Sequence, residues 1–298
     1  MMKHRILAFC ILFFSSFIFN KVLFGQSIEI RDAVFTLGTY SKGANITVPI
    51  KFNGCFDTLS QTRLYLSDAS GNFNNGGSLI GGYAHFFSAF VNGTIPSGTP
   101  NGTGYKIRVE TTNPVKADTS NVFSIDGGFT TIPNLIVALP TTGHTINDST
   151  YGNCLANANF GGSGMVLTIA SLQGGTLTAT LFDSLWNGTN ANINSNQIQI
   201  FPVAGNYYTL VVSLANASNI VTKRSFLLYY NAHKLSFQND GITEKCFPIT
   251  QEFTINILGT DGIRNNYPGT IYKVGWGDGS STSYSHCQII SSGGVVSH

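Results

Sequence analysis

From Ser27 onward, apolar and polar positions alternate in short runs separated by clusters of Gly, Asn, Ser and Pro. Successive side chains of a strand point to opposite faces, so a period of two predicts half-buried antiparallel strands, here at the spacing of a β-sandwich. Asn45–Phe52 places Ile46, Val48, Ile50 and Phe52 on one face and Pro49 on the other, which predicts a strand at a sheet edge, because proline cannot donate to a ladder. Arg63–Ser67, His85–Asn92, Tyr105–Glu110 and Asn121–Ile125 read as further strands of the same unit. Residues 93–104 are dense in turn formers, and Tyr105 opens a strand directly after them. A tyrosine corner needs that arrangement, with the ring packed inward and the hydroxyl tied back to upstream backbone.

Gly127-Gly128 marks a boundary, and strands follow at Asn134–Leu139, Met165–Leu172, Leu177–Phe182, Gln197–Val203, Tyr207–Leu214 and Arg224–Tyr230. Gly205-Asn206-Tyr207 echoes Gly104-Tyr105, which makes Tyr207 a second candidate tyrosine corner and points to two tandem units on a shared plan. After Phe237, strands are expected at Glu252–Leu258 and Thr270–Gly275, with another beginning at Val295. The residues left for this unit fall short of the ~100 of a full sandwich, so it is expected to be incomplete: continued by a longer chain, or completed by something else. The organisation expected is a leader at 1–25, sandwiches at 27–126 and 127–236, and a partial unit at 237–298. Helix signals are nearly missing.

The leader carries Lys3 and Arg5 ahead of an apolar run from Ile6 to Phe19, then a small-residue exit at Gly25-Gln26-Ser27. This is the pattern of a secretory signal peptide, and the run is shorter than the ~20 residues a membrane span requires. The mature chain is therefore expected outside the inner membrane, secreted or at the cell surface, with no membrane span. Charged residues are only 10 % of the 298, far below the ~25 % of ordinary soluble chains. Three of the 16 basic residues and none of the 14 acids lie in the leader, so the rest carries a formal charge of −1. Nucleic-acid binding needs a concentrated basic surface, which this balance excludes.

Four cysteines follow the leader: Cys55, Cys154, Cys246 and Cys287. In an exported chain an even count permits disulfides. Cys246 and Cys287 share the third unit and are the expected pair; Cys55 and Cys154 fall in different units and read as free buried thiols. A Cys–His nucleophile at His286-Cys287 is disfavoured, because neighbours on a strand face opposite ways. Gly161-Gly-Ser-Gly-Met165 misses the final glycine of a nucleophile elbow. The acids are scattered singly, and the histidines show no ligand spacing, so no catalytic centre, cofactor or zinc site is expected. Asp68-Ala-Ser-Gly-Asn72-Phe-Asn74 begins like a calcium loop but has Phe73 where glycine is needed and Leu79 where glutamate is needed, and reads as a polar hairpin loop. Trp186, beside a turn, offers a candidate flat face to a sugar, against the alternative of packing between units. Six N-x-S/T triplets, at Asn45, Asn92, Asn101, Asn147, Asn187 and Asn216, are glycosylation acceptors only in a eukaryotic secretory route.

Lys273-Val-Gly-Trp276-Gly277-Asp278-Gly279-Ser280, continuing to Tyr284-Ser-His286, resembles the Trp-Gly-Asp-Gly-Ser segment of PKD domains, Ig-like sandwiches of secreted proteins. In that family a strand ends in the Trp, Gly-Asp-Gly makes a tight turn, and further strands complete the fold. Leu64–Phe73 and Gly93–Val109 resemble the Ig-like repeats of large Bacteroidetes surface proteins, including gliding-motility-associated adhesins. The two resemblances cover residues 28–125 and 238–298 and imply export by a type IX system, whose C-terminal sorting signal is not visible in the sequence. The expectation is an all-β chain of tandem Ig-like antiparallel β-sandwich modules, the last PKD-like and incomplete. It would act as a secreted or cell-surface adhesin or spacer with non-catalytic binding of a polysaccharide or protein ligand. The competing expectation is an accessory N-terminal region of a secreted polysaccharide- or protein-degrading enzyme with its catalytic domain past residue 298.

Overall fold

The computed structural model describes residues 25–31, 38–83, 86–127, 137–138, 144–147, 150–153, 165–169, 172, 174–201, 207–230, 235–239, 252–259 and 262–298. The first unit contains β1 (Ser27–Ile30), β2 (Thr39–Ser41), β3 (Asn45–Asn53), β4 (Thr62–Leu66), β5 (Ser78–Tyr83), β6 (Ala89–Thr94), β7 (Gly102–Tyr105), β8 (Ile107–Thr111), β9 (Ala117–Thr119) and β10 (Phe123–Asp126). The second contains β11 (Val137–Ala138), β12 (His144–Asn147), β13 (Thr150–Asn153), β14 (Met165–Ile169), β15 (Thr176–Phe182), β16 (Gly188–Asn190), β17 (Asn192–Asn194), β18 (Gln197–Ile200), β19 (Tyr207–Ala215) and β20 (Ile220–Tyr230). The third contains β21 (Phe237–Asn239), β22 (Glu252–Ile255), β23 (Ile271–Gly275), β24 (Ser281–Ser285), helix α1 (His286–Ser291) and β25 (Val295–Ser297). The protein is all-β, as its alternating pattern requires.

In the first unit the sheet β1-β3-β6 and the sheet β5-β4-β8-β9 share one core, with Ile46, Val48, Ile50, Leu64, Ile107 and Val109 fully buried. Pro49 does not mark an edge: β3 is the middle strand of its sheet. The Pro49 carbonyl accepts from the Arg31 N–H just past the last β1–β3 pair, Ile30 with Ile50. A strand residue points its N–H and C=O to the same side, so the missing donor falls opposite Arg31 at the very end of the β1 ladder, and the ladder to β6 is untouched.

The expected strand Tyr105–Glu110 is two strands. Tyr105 closes β7, which pairs with β10, whereas β8 pairs with β4 in another sheet. Lys106 makes the crossing, its carbonyl accepting from Ser67 N–H and its N–H donating to the Ser67 hydroxyl. Tyr105 is buried, and its hydroxyl donates to the Pro100 carbonyl at 2.7 Å, five residues upstream. Replacing Tyr105 with Phe keeps the ring and deletes that bond, so chemical denaturation should report a loss of about 1–2 kcal/mol. An unchanged midpoint would mean that the tie-back contributes nothing to the corner.

The second unit packs Leu167, Ile169, Ile198 and Ile200, on the sheet β11-β14-β18-β17, against Leu210, Val212, Leu214 and Phe226 on β19 and β20. The third unit has a smaller core of Ile255, Ile263, Tyr272, Ile289 and Val296. Helix α1 interrupts the run of strands in this unit. Its start carries a capping box, in which the Ser285 hydroxyl accepts from Gln288 N–H and the Gln288 side chain accepts from Ser285 N–H. His286 and Cys287 therefore sit on a helix and not on a strand.

Candidate functional site

The first two units are joined along a strand edge. β2 pairs in parallel with β20, Thr39 with Ile220 and Tyr40 with Val221, so one sheet runs in the order β16-β15-β19-β20-β2-β10-β7 across both. The far end of the same β20 edge pairs with β13, from Thr150 with Leu227 to Asn153 with Tyr230. Between these two pairings, side chains of β3 and β6 take the place of a strand. Asn92 Nδ2 donates to the Ser225 carbonyl at 2.9 Å and Asn92 Oδ1 accepts from the Ser225 N–H at 2.9 Å. Thr47 Oγ1 meets Ser225 Oγ at 2.8 Å, and Asn45 N–H donates to Thr222 Oγ1 at 3.0 Å. Strand β3 is therefore buried on both faces, its Ile46, Val48 and Ile50 side in the core and its Thr47 side on the joint. Lys223 lies with its Nζ 6.0 Å from the Tyr40 ring centre, and burial pushes its pKa down. Tyr40 is fully buried, which pushes its pKa up, and its hydroxyl has no hydrogen-bond partner among the described residues.

Trp186 belongs to this joint. Asp183 builds its turn by accepting from the N–H groups of Leu185 and Asn187 and from the Asn187 amide. Burial acts to raise the Asp183 pKa, but those bonds from Asn187 and Leu185 outweigh it and hold the carboxyl low. The ring of Trp186 is centred 4.9 Å from that of Phe90, which itself lies 5.1 Å from Phe182, and the Arg31 guanidinium carbon is 5.0 Å from the Trp186 centroid. The indole thus contacts two residues of the first unit, Phe90 and Arg31.

The third unit returns to the first. Cys287, on α1, is disulfide-bonded to Cys55, 232 positions away, with 5.5 Å between the Cα atoms. This corrects both the expected Cys246–Cys287 pair and the reading of Cys55 as a free thiol. The expectation assumed that partners share a unit, whereas the docking of α1 on the loop after β3 brings Cys55 to Cys287; Cys154 and Cys246 lie outside the described residues. The Cys55 carbonyl accepts from Gln26 Nε2, and Cys55 Sγ lies 3.3 Å from Ser291 Oγ. Beside this clamp, Tyr267 packs edge-on to Phe87 at 5.3 Å and belongs to the periphery of the first unit's core. Burial, then the neighbouring Tyr83 and Tyr207, push its pKa up to about 12. Tyr207 is likewise pushed up to about 12, by burial and then by Asp183. The backbone to which Tyr207 would tie as a corner, at 202–206, lies outside the described residues.

Between the first and second units opens a cleft of about 380 Å³. Tyr83, Phe87, Phe90, Asn45 and Thr94 line it from the first unit, and Thr209, Arg224 and Leu227 from the second. Part of its wall is bare backbone: Gly81, Gly82 and Gly93 lie where β5 and β6 cross. A Cβ on Gly81 would come within 2.4 Å of the Asn92 carbonyl oxygen, so only glycine lets these two strands approach so closely.

The remaining residues singled out in the sequence serve turns. Asp278 Oδ1 accepts from the Ser280 hydroxyl at 2.6 Å and the Ser280 N–H at 2.8 Å, and Oδ2 meets His298 Nε2 at 2.8 Å. Those Ser280 bonds and then His298 hold its carboxyl well below the usual carboxylate range. Gly277 and Gly279 have φ of 87° and 91° in the turn between β23 and β24. Trp276 closes it, stacking on His298 at 4.8 Å and donating from Nε1 to Thr282 Oγ1. Asp68 accepts from Ser70 and Asn72 N–H and from the Asn74 amide, as the nucleus of a loop. Among the described residues, no group of three or more His, Cys, Asp or Glu is gathered to hold a metal, and no helix is long and apolar enough to cross a membrane.

Comparison with protein-family models finds no match, and comparison with curated proteins finds none. Among solved structures, the chain is similar to the fibronectin(III)-like modules of Clostridium thermocellum CbhA, at 11 % identity over 68 % of this chain and 94 % of that one, with a TM-score of 0.22. It is similar to dimeric latent PorU from Porphyromonas gingivalis, at 11 % identity over 92 % of this chain and 30 % of that one, with a TM-score of 0.22. It is also similar to SGBP-B of the Bacteroides ovatus mixed-linkage glucan utilization locus, solved with a mixed-linkage heptasaccharide, at 11 % identity over 92 % and 61 %, with a TM-score of 0.19. The chain spans less than two thirds of the last two.

Proposed function

We propose that this protein is a non-catalytic binding head, a secreted or cell-surface β-sandwich array that captures a polysaccharide or protein ligand. The observation that carries this reading is a cleft at the junction of the first and second units, which a shared sheet joins, while a disulfide ties the third unit to the first. Small-ligand sites occur preferentially at such domain junctions, in clefts of roughly 300–1,000 Å³. The disulfide also supports an oxidising compartment, in agreement with the signal-peptide pattern of the leader. A third unit folded back on the first favours a binding head over an extended spacer. On the same reading the third unit is PKD-like through its Trp276–Ser280 turn, the first is an Ig-like repeat of the adhesin kind, and type IX export delivers the chain.

Small-angle scattering and ligand capture test the proposal together. A block of this length should have a radius of gyration of about 19 Å, and the immobilised chain should retain an extracellular polysaccharide or protein without altering it. Turnover of the retained ligand would sink the non-catalytic reading. A radius appropriate to three units in a line would sink the fixed head.

A further inference from the structure

We infer that the cleft between the first two units is a site for a neutral saccharide, an inference that rests on the binding-head reading and gives it a ligand class. A sugar ring presents two kinds of surface, hydroxyls around its rim and C–H groups on its faces. A site for it needs aromatic planes beside uncharged donors and acceptors. The cleft supplies both. Tyr83 is a half-buried ring on its wall, and beside it stands Phe90, also half-buried and packed against Trp186 and Phe182. Asn45 keeps its Oδ1 on the Thr94 hydroxyl at 3.2 Å, while no described residue takes its Nδ2. Thr94 is exposed at the rim and Thr209 half-buried opposite.

Charge narrows the class. No carboxylate lines the cleft among the described residues, which disfavours a cationic ligand. The one cation among the described residues of its lining, Arg224, has its guanidinium carbon 5.2 Å from the Phe226 ring on its own strand, and an acidic polymer in the test below reads whether that charge recruits an anion instead.

The test is titration calorimetry of the full chain against a soluble β-glucan, a xylan, a mannan and polygalacturonate, together with an extended unstructured peptide. At least one neutral polymer should bind, more tightly than polygalacturonate or the peptide. Thr94→Trp, which fills the rim from an exposed position, and Tyr83→Ala, which removes a ring, should each weaken that binding about tenfold or more. Melting of each variant within a few degrees of the parent shows that the fold survives. Neutral binding that both variants leave intact would place the site elsewhere and overturn the inference while leaving the binding head standing. Preferential binding of polygalacturonate or the peptide would overturn the ligand class alone. Failure of every probe to bind would overturn the inference, and with it the polysaccharide form of the binding-head reading.

Discussion

Replacing Cys55 with Ser should loosen the protein as much as replacing Cys287, and either should melt the third unit ahead of the rest. The bridge spans 232 positions, and the chain-entropy account of so long a closed loop gives an upper limit of about 5 kcal/mol. The measured loss should be smaller, because the shared sheet between the first two units and the Phe87–Tyr267 contact already restrict the chain. A loss of about 2–4 kcal/mol concentrated in a small unit corresponds to roughly 10 °C or more in its transition. Calorimetry of Cys55→Ser, Cys287→Ser and the double variant should show the same early transition in all three. Cys55→Ser with the parent's melting curve would contradict the bridge between first and third units.

The strands were legible because their signal is local. Ile46, Val48 and Ile50 announce β3 by their spacing, and the turn formers before Tyr105 announce its corner. What escaped was where the second face of β3 goes. Thr47 reads as an outward, solvent-facing residue, yet it is buried because β20, nearly two hundred positions on, lies against it. A polar residue on the alternate face of a strand looks the same in sequence whether it meets water or a partner's hydroxyl. The Cys55–Cys287 bridge was hidden for the same reason, since pairing within a unit is the economical guess until the return of α1 to the first unit is known. Helix α1, by contrast, had a readable signal in Ser285-x-x-Gln288, a capping box masked by the β-rich context. Within the cleft, glycines read as loop punctuation, although Gly81 and Gly93 lie inside strands that cross in contact.

The amide of Asn92 carries the second large effect. Ser225 is buried at the one stretch of the β20 edge that neither β2 nor β13 covers, and Asn92 satisfies both its N–H and its carbonyl. Asn92→Ala removes both partners at once. Each buried group left unsatisfied costs about 1–3 kcal/mol, so the variant should lose about 2–5 kcal/mol in urea unfolding. Asn92→Asp should fare no better, because a carboxylate still accepts from the Ser225 N–H but cannot donate to its carbonyl and is itself desolvated. Ser225→Ala, which deletes only the hydroxyl between Thr47 and Asn92, should cost about 1 kcal/mol, and a double-mutant cycle with Asn92→Ala should show coupling. Because β20 belongs to the second unit and Asn92 to the first, the loss should fall on the joint, splitting one cooperative transition into two. A single transition with an unshifted midpoint in Asn92→Ala would mean that water replaces the amide without penalty, and that the continuous sheet alone holds the two units together.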